Sequence, residues 1–245
     1  MPTFGKDWKP SRSDQVDAQF AARLDELRST LRFQDPGLIA ARSAVPYLML
    51  GPGRGELHIP FWENVCVLSF PELIGYNTHD DQLPDFQQAL LLYYLNTADG
   101  APITNKWVSF ADLPDGRMYN AAFQSYSGDE VVKIFEHVGR DVIPPKRIDT
   151  SYSQSNPLHE FNQACLKAGG KPVEIGNASF TFQALPRLPL MITYWLGDED
   201  FPSSCKILFD ESACHYLPVD ACAILGSMLV RKLTSSFAQE RTPKE

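Results

Sequence analysis

The side chains best suited to chemistry begin in the segment 195–202, where an apolar run ends in Asp198, Glu199 and Asp200. If a strand ends there, its side chains alternate, and Asp198 and Asp200 lie on one face. Two carboxylates on one face could bind a hard cation or raise each other's pKa for acid–base catalysis. A solvent-exposed turn capped by Asp198 is the simpler interpretation, and we favour it.

A second group of reactive side chains follows the next apolar run, at Asp210, Cys214, His215 and Tyr216. Asp210 and His215 are the catalytic candidates: Asp210 could orient His215, or both could join the first pair of carboxylates around a metal ion. A Cys214–His215 nucleophile is disfavoured, because adjacent residues of one chain usually point apart. A hydrogen-bonded structural role for His215 is the alternative.

Chain geometry argues against one combined metal site. The connection after Asp200 is short, which predicts an antiparallel hairpin, since a parallel crossover needs about a dozen residues or more. In that hairpin Asp198 lies near residues 204–206, whereas Asp210 lies a strand length away, at about 3.3 Å per residue. We therefore predict no shared metal site, with Asp198 in a turn and Asp210 paired locally with His215.

Aromatic side chains give a separate signal for a binding site, because such rings could line a pocket for a flat cofactor such as a tetrapyrrole. The candidate cofactor-binding residues are Trp107, Tyr119, Trp195, Phe201, His215 and Tyr216. Four more rings carry the same signal: Trp62, Phe110, Phe123 and Tyr126. The alternative is that these rings form the hydrophobic core.

Composition and missing motifs exclude several function classes. A net charge of −8 and a pI near 5.1 argue against a general nucleic-acid binder, which needs clustered Lys and Arg. The absence of GxSxG, HExxH, GxGxxG and EF-hand patterns disfavours serine hydrolases, zinc proteases and nucleotide-binding enzymes. The glycine-rich stretch 51–55 lacks the phosphate-loop spacing and predicts a hairpin turn.

The N-terminal residues and the cysteines indicate the cellular compartment in which the protein resides. Residues 1–8 lack the apolar core of a secretory signal, and the apolar runs 89–95 and 186–196 are shorter than the ~20 residues that span a bilayer. An odd number of scattered cysteines favours reduced thiols over a disulfide framework. These cysteines are Cys66, Cys165, Cys205, Cys214 and Cys222. We expect a cytoplasmic protein.

Hydrophobic periodicity predicts the elements that position these residues. A stripe of apolar residues predicts a first helix that ends at Asp35-Pro36-Gly37; its members are Val16, Phe20, Leu24, Leu27 and Leu31. Further helices are predicted at 38–43, 84–97, 129–137, from 156 to the glycines at 169–170, and 219–233. Strands are predicted within 48–75 and at 173–176, 179–183, 190–196 and 206–209, and turns set off two further segments at 107–110 and 117–126.

Strands that cluster between helices, rather than alternating with them, predict an α+β fold: a single domain with a mainly antiparallel sheet flanked by helices. We expect a loose arm at 1–12, one domain at 13–233 and a frayed tail at 234–245. The Pro-, Ser- and Tyr-rich stretch 141–155 is the one candidate linker.

Two ordered blocks of sequence resemble a known family. The first comprises 92–95, 100–103 and 107–114, and the second comprises 169–170, 186–190, 195–202 and 207–210. Over about 35–233 the chain resembles domain-of-unknown-function family 3786, from bacteria and archaea that are largely anaerobes. Because members are sometimes joined to a small iron–sulfur module, the resemblance implies an anaerobic redox or cofactor setting. This chain has no four-cysteine cluster motif of its own.

These observations lead to three functional expectations. The first is a small-molecule or cofactor-binding or accessory protein of anaerobic metabolism, with a tetrapyrrole or corrinoid as the ligand and a redox protein as a possible partner. The second is a metal-assisted hydrolase or lyase that uses Asp198, Asp200, Asp210 and His215. The third is an interaction subunit without a ligand site. No nucleic acid or membrane span is expected.

Overall fold

The structure, a computed structural model, describes residues 23–137 and 157–241. The predicted arm 1–12, the start of the first helix and the candidate linker 141–155 lie outside the described residues. The chain divides into two compact units. Within the described part, the first unit contains 23–60 and 64–100, and the second contains 61–63, 101–137 and 157–241. The assignment of 13–233 to a single domain stays a prediction.

The first unit combines helices with a four-stranded antiparallel sheet in the order β1-β2-β3-β4. Its helices are α1 (23–31), α2 (Pro36–Ser43) and α3 (Asp85–Thr97), and its strands are β1 (Tyr47–Gly51), β2 (Arg54–Phe61), β3 (Asn64–Phe70) and β4 (Gly75–Tyr76). Leu24, Leu27 and Leu31 are buried, as their spacing predicts. Phe86, in the first turn of α3, is 39% exposed, whereas Leu90, Leu91 and Leu95 are buried.

The glycine-rich stretch 51–55 forms the β1–β2 hairpin turn, which confirms the turn prediction. Gly53 has a positive φ of 68°, a region that L-residues rarely adopt. A Cβ at Gly55 would lie 2.5 Å from the Tyr47 ring, so the close approach of β1 and β2 requires glycine there.

The second unit is a five-stranded antiparallel sheet in the order β5-β9-β8-β7-β6, and helices pack against it. Its strands are β5 (Trp107–Ser109), β6 (Lys171–Val173), β7 (Ala178–Leu185), β8 (Leu188–Trp195) and β9 (Ser204–Asp210). Its helices are α4 (Gly116–Tyr126), α5 (Gly128–His137), α6 (Pro157–Lys167) and α7 (Val219–Arg241), and short 3-10 turns cover Phe110–Asp112 and Glu211–His215.

Aromatic rings form the core between this sheet and its helices. Phe161 of α6 lies 5.0 Å from the Tyr194 ring of β8, and Phe123 of α4 lies 6.0 Å from the Phe209 ring of β9, centroid to centroid. Phe110 stacks on Phe123 at 4.2 Å. Phe110 and Phe123 are therefore core residues, the alternative considered for the aromatic signal.

Several predicted boundaries are wrong. Helix α7 continues past Leu233 to Arg241, into the segment expected to be a frayed tail, because residues 234–241 contain neither Gly nor Pro. Strand β6 occupies Lys171–Val173 rather than 173–176, since Gly176 has a positive φ of 61° and belongs to the turn before β7. The α+β class and the antiparallel pairing are confirmed, with the strands divided between two sheets.

Candidate functional site

Asp198 is a turn residue of the β8–β9 connection. Its Oδ1 accepts hydrogen bonds from the backbone N–H groups of Asp200 (2.9 Å) and Phe201 (2.8 Å). The Asp198 N–H donates in turn to the Phe201 carbonyl at 2.9 Å. The carboxylate therefore caps the turn, which is the interpretation favoured from the sequence.

Asp210 is a fully buried carboxylate at the end of β9, and five donors bind it. Its Oδ1 accepts from the N–H and hydroxyl groups of both Thr104 (3.0 and 3.0 Å) and Ser212 (3.0 and 2.6 Å). Its Oδ2 accepts from the Asn105 N–H at 2.7 Å. Burial raises the pKa of Asp210, but the bonds from Ser212 and Thr104 outweigh burial and hold that pKa below its ordinary value.

These bonds fix the extended segment 101–106 that leads into β5. The Glu211 N–H donates to the Lys106 carbonyl at 2.8 Å, and the Lys106 ammonium lies 3.2 Å from the Glu211 carboxylate. The Tyr216 hydroxyl, on a fully buried side chain, donates to the Ala101 carbonyl. Asp210 and the turn after it thus clamp this segment at three points. His215 is exposed at the end of that turn.

The β8–β9 register separates the two carboxylate groups of the predicted metal constellation. Trp195 pairs with Ser204 at one end of the hairpin and Leu190 with Phe209 at the other. Asp198 follows the first end and Asp210 the second, so the antiparallel hairpin predicted from the short connection is present. Within the described part of the chain, no three His, Cys, Asp or Glu side chains are grouped closely enough to bind a metal ion.

A cavity of about 310 Å³ lies in the second unit and contains the best candidate site, here termed the tryptophan cavity. Its lining residues are Trp62, Glu63, Ile103, Asn105, Trp107, Gly169, Lys171, Thr181, Phe182, Gln183 and Pro189. Trp107 is one of the predicted cofactor-binding residues, and Trp62 belongs to the wider aromatic set. Segment 101–106, which Asp210 clamps, supplies one wall.

The register of the five-stranded sheet explains why distant residues meet there. Thr181 pairs with Lys171, and Gln183 pairs with Pro189. Residues paired across antiparallel strands share a face of the sheet, as do residues two apart on one strand. At the far side of the sheet Trp107 pairs with Asp210. The cavity therefore lies on the face opposite the aromatic core.

The turn 62–63 contributes the remaining wall. Trp62 has a positive φ of 54°, and its N–H donates to the Ala184 carbonyl of β7 at 2.9 Å. The Glu63 carboxylate forms an ion pair with the Lys232 ammonium of α7. A Cβ at Gly169 would lie 2.4 Å from that carboxylate, so glycine makes room for it.

The other predicted cofactor-binding residues do not converge on this cavity. Tyr119 of α4 and Phe201 of the β8–β9 connection are 55% and 71% exposed. Trp195 ends β8, at the opposite end of the hairpin from Trp107. Tyr216 is buried and supports the segment 101–106 rather than lining the cavity.

Sequence reasoning missed several polar residues of the tryptophan cavity, namely Glu63, Asn105, Lys171, Thr181 and Gln183. None belongs to a motif; Lys171 lies outside the predicted strands, and Thr181 is an ordinary residue of the predicted strand 179–183. The one local signal was the polar alternation of Thr181 and Gln183 in an apolar strand, which marks a face away from the core.

The first unit has an open cavity of about 590 Å³ over the polar face of β2 and β3. There the His58 Nε2 lies 3.0 Å from the Glu56 carboxylate, with Ser69 and Tyr76 nearby on the same wall. It has a single aromatic ring and is less enclosed than the tryptophan cavity, so it is the weaker candidate.

Comparison with known proteins identifies a family. The family model described as "Domain of unknown function (DUF3786)" matches residues 35–141 and 151–232, which is most of the 245-residue chain. The chain belongs to this family. The DUF3786 match extends over both compact units and includes every described residue that lines the tryptophan cavity. No curated protein and no solved structure matches the chain significantly.

The DUF3786 membership confirms the resemblance seen in the sequence blocks and assigns no reaction. Within residues 23–137 and 157–241, no helix has both the length and the apolar character needed to cross a bilayer.

Proposed function

We propose that the protein binds a small planar organic molecule in the tryptophan cavity. The observation that carries this proposal is the presence of Trp62 and Trp107 on the wall of one cavity, beside Ile103 and Pro189. Small-molecule sites are typically apolar and aromatic, with a few polar groups that fix the ligand's orientation. Asn105, Thr181 and Gln183 supply such groups here.

The size of the cavity restricts the ligand. A volume of about 310 Å³ lies at the lower end of the range for ligand sites, about 300–1,000 Å³. This favours one or two fused rings over a macrocycle enclosed on all sides. The tetrapyrrole or corrinoid expected from the family setting stays a prediction, and a visible absorption spectrum tests it directly.

The cavity wall is held in place before a ligand arrives. The buried Asp210 carboxylate binds Thr104 and Asn105, and the Tyr216 hydroxyl binds Ala101, so the segment carrying Ile103 and Asn105 is fixed at both ends. A pre-ordered site loses less conformational entropy on binding, which supports binding as the role of this region. Asp210 acts here as a positioning residue.

The experiment begins with protein purified without oxygen, followed by absorption spectroscopy, metal analysis and mass spectrometry of the denatured extract. A library of planar one- and two-ring compounds is then screened by ligand-observed NMR against the wild-type chain. We expect hits that Trp107→Leu weakens at least about tenfold, as expected for loss of a buried aromatic contact.

Trp195→Leu is the matched control, because it removes the same ring from the opposite end of the sheet. Hits should bind that variant as they bind the wild type. Hits that Trp107→Leu leaves unchanged, or an absence of hits from the whole library, would contradict the proposed site. A stoichiometric colourless metal in the purified protein would instead favour the metal-dependent enzyme.

A further inference from the structure

The charges around the tryptophan cavity are few. The protein carries a net charge of −8, yet Glu63 and Lys171 are the two ionisable side chains among the residues that line the cavity. Which of these charges is already neutralised decides the charge that a ligand would meet.

Glu63 is neutralised from within the protein. Its carboxylate forms an ion pair with Lys232, whose side chain is 24% exposed. Because the positive charge of the ammonium lies directly against the carboxylate, the pair has no net charge and adds little negative potential to the cavity. Glu63, the acidic residue among those that line the cavity, is therefore already paired with a cation.

Lys171 is not neutralised in this way. It lies on the edge strand β6, opposite Thr181, and forms no ion pair with any described residue. The Asn105 side-chain amide also has no hydrogen-bond partner among the described residues, since only its backbone N–H is used, by Asp210. Within the described part of the chain, one ammonium and one carboxamide therefore line the cavity with donors that no other group uses.

We propose that the ligand of the tryptophan cavity is a planar aromatic carboxylate whose anionic group binds Lys171. This inference rests on the proposed binding function and specifies the class of ligand. A carboxylate suits the site better than a phosphate, because a single lysine supplies one charge and no arginine is among the described residues that line the cavity. Phosphate sites typically add an arginine or several backbone N–H groups.

The test compares two probes of the same shape, 2-naphthoate and 2-naphthamide; the amide has no charge and carries an NH₂ group in place of one carboxylate oxygen. Affinities are measured on the full chain by isothermal titration calorimetry at low and high salt. We expect the carboxylate to bind about tenfold more tightly than the amide, as a charge-assisted hydrogen bond is about twice as strong as a neutral one. Added salt should weaken the carboxylate selectively.

Lys171→Gln should abolish the preference for the carboxylate, so that the two probes bind this variant with equal affinity. Lys206→Gln is the control, because it removes an exposed lysine from the same sheet at a position outside the cavity lining. That variant should keep the tenfold preference. Both variants replace exposed side chains, so their unfolding midpoints should match the wild type.

The outcomes separate this inference from the binding proposal. Equal affinity for both probes, or a preference that survives Lys171→Gln, would overturn the inference while the binding proposal stands. Tighter binding of 2-naphthyl phosphate than of 2-naphthoate would overturn the carboxylate assignment. Failure of both probes and of the compound library to bind would overturn the binding function, and this inference with it.

Discussion

Replacing Asp210 by Asn perturbs one buried group without changing its size. The carboxylate uses both oxygens, with four donors on Oδ1 and the Asn105 N–H on Oδ2. An amide has one acceptor oxygen, so in either orientation at least one backbone N–H faces an NH₂ group. The Thr104 and Ser212 hydroxyls can rotate to new partners, but backbone N–H groups cannot.

The magnitude follows from the bonds lost. A hydrogen bond to a charged group contributes about 1.5–3 kcal/mol, and an unsatisfied buried donor costs about 1–3 kcal/mol. Allowing for overlap between these effects, we expect Asp210→Asn to lower the free energy of unfolding by about 3 kcal/mol. For a chain of this size that corresponds to a loss of about 6–12 °C in Tm.

The assays are urea unfolding, which gives the free energy, and thermal melting, which gives the Tm, both at pH 7 and with Asp198→Asn as the control. In Asp198→Asn the side-chain amide oxygen can still accept from the N–H groups of Asp200 and Phe201, and the turn is exposed. The Tm of this variant should therefore stay within about 2 °C of the wild type. Asp198→Asn should also leave ligand affinity unchanged. An unfolding midpoint of Asp210→Asn equal to that of the wild type would show that the hydrogen bonds to this carboxylate do not stabilise the fold as argued.

The pH dependence gives a second check on the same residue. Because the folded pKa of Asp210 lies below its ordinary value, this group contributes stability above the unfolded pKa, about 3.9, and loses it as the pH falls through the folded pKa. The gap in unfolding free energy between wild type and Asp210→Asn should therefore be full at pH 7 and shrink below about pH 4. If this difference in unfolding free energy instead increased as the pH falls, the assigned direction of the Asp210 pKa shift would be wrong.

Three further predictions concern the fold and the thiols. Leu24→Ala and Leu225→Ala, at sites 2% and 0% exposed, should each cost about 2–5 kcal/mol in unfolding free energy; an unchanged melting midpoint for either would mean that the side chain is not in the core. All five cysteines should titrate under denaturant, and fewer than five reactive thiols would argue for a disulfide. In the native protein Cys214 alone should react rapidly, because the other four cysteines are buried and burial raises the pKa of thiols such as Cys205 and Cys222. Limited proteolysis should not release two independently folded halves, and two such stable fragments would contradict the single domain.

Local features were predictable from the sequence because short-range rules determine them. The apolar stripe of α1, the turn at 51–55 and the capped turn at Asp198 each depend on residues within a few positions of one another. Element ends were less predictable: α7 continued into a polar segment that merely lacks a helix breaker.

The candidate site was less predictable because long-range pairing assembles it. Trp107 meets Asp210 through the β5–β9 register, and Lys171 reaches the cavity through its pairing with Thr181. The sequence marked Asp210 as chemically unusual but could not show that its partners are Thr104 and Asn105. It predicted a pair with His215, which stays a prediction, and it did not predict the hydrogen bonds by which Asp210 fixes the cavity wall.

The most direct test of the tryptophan cavity follows the indole N–H signals in a proton–nitrogen NMR spectrum. The chain has four tryptophans, so four such signals are expected, and single Trp→Phe variants assign them. On addition of 2-naphthoate or 2-naphthamide, the account predicts that the Trp62 and Trp107 signals shift together in a saturable way, while the Trp195 signal stays in place. A saturable shift of Trp195 with Trp62 and Trp107 unmoved would contradict it.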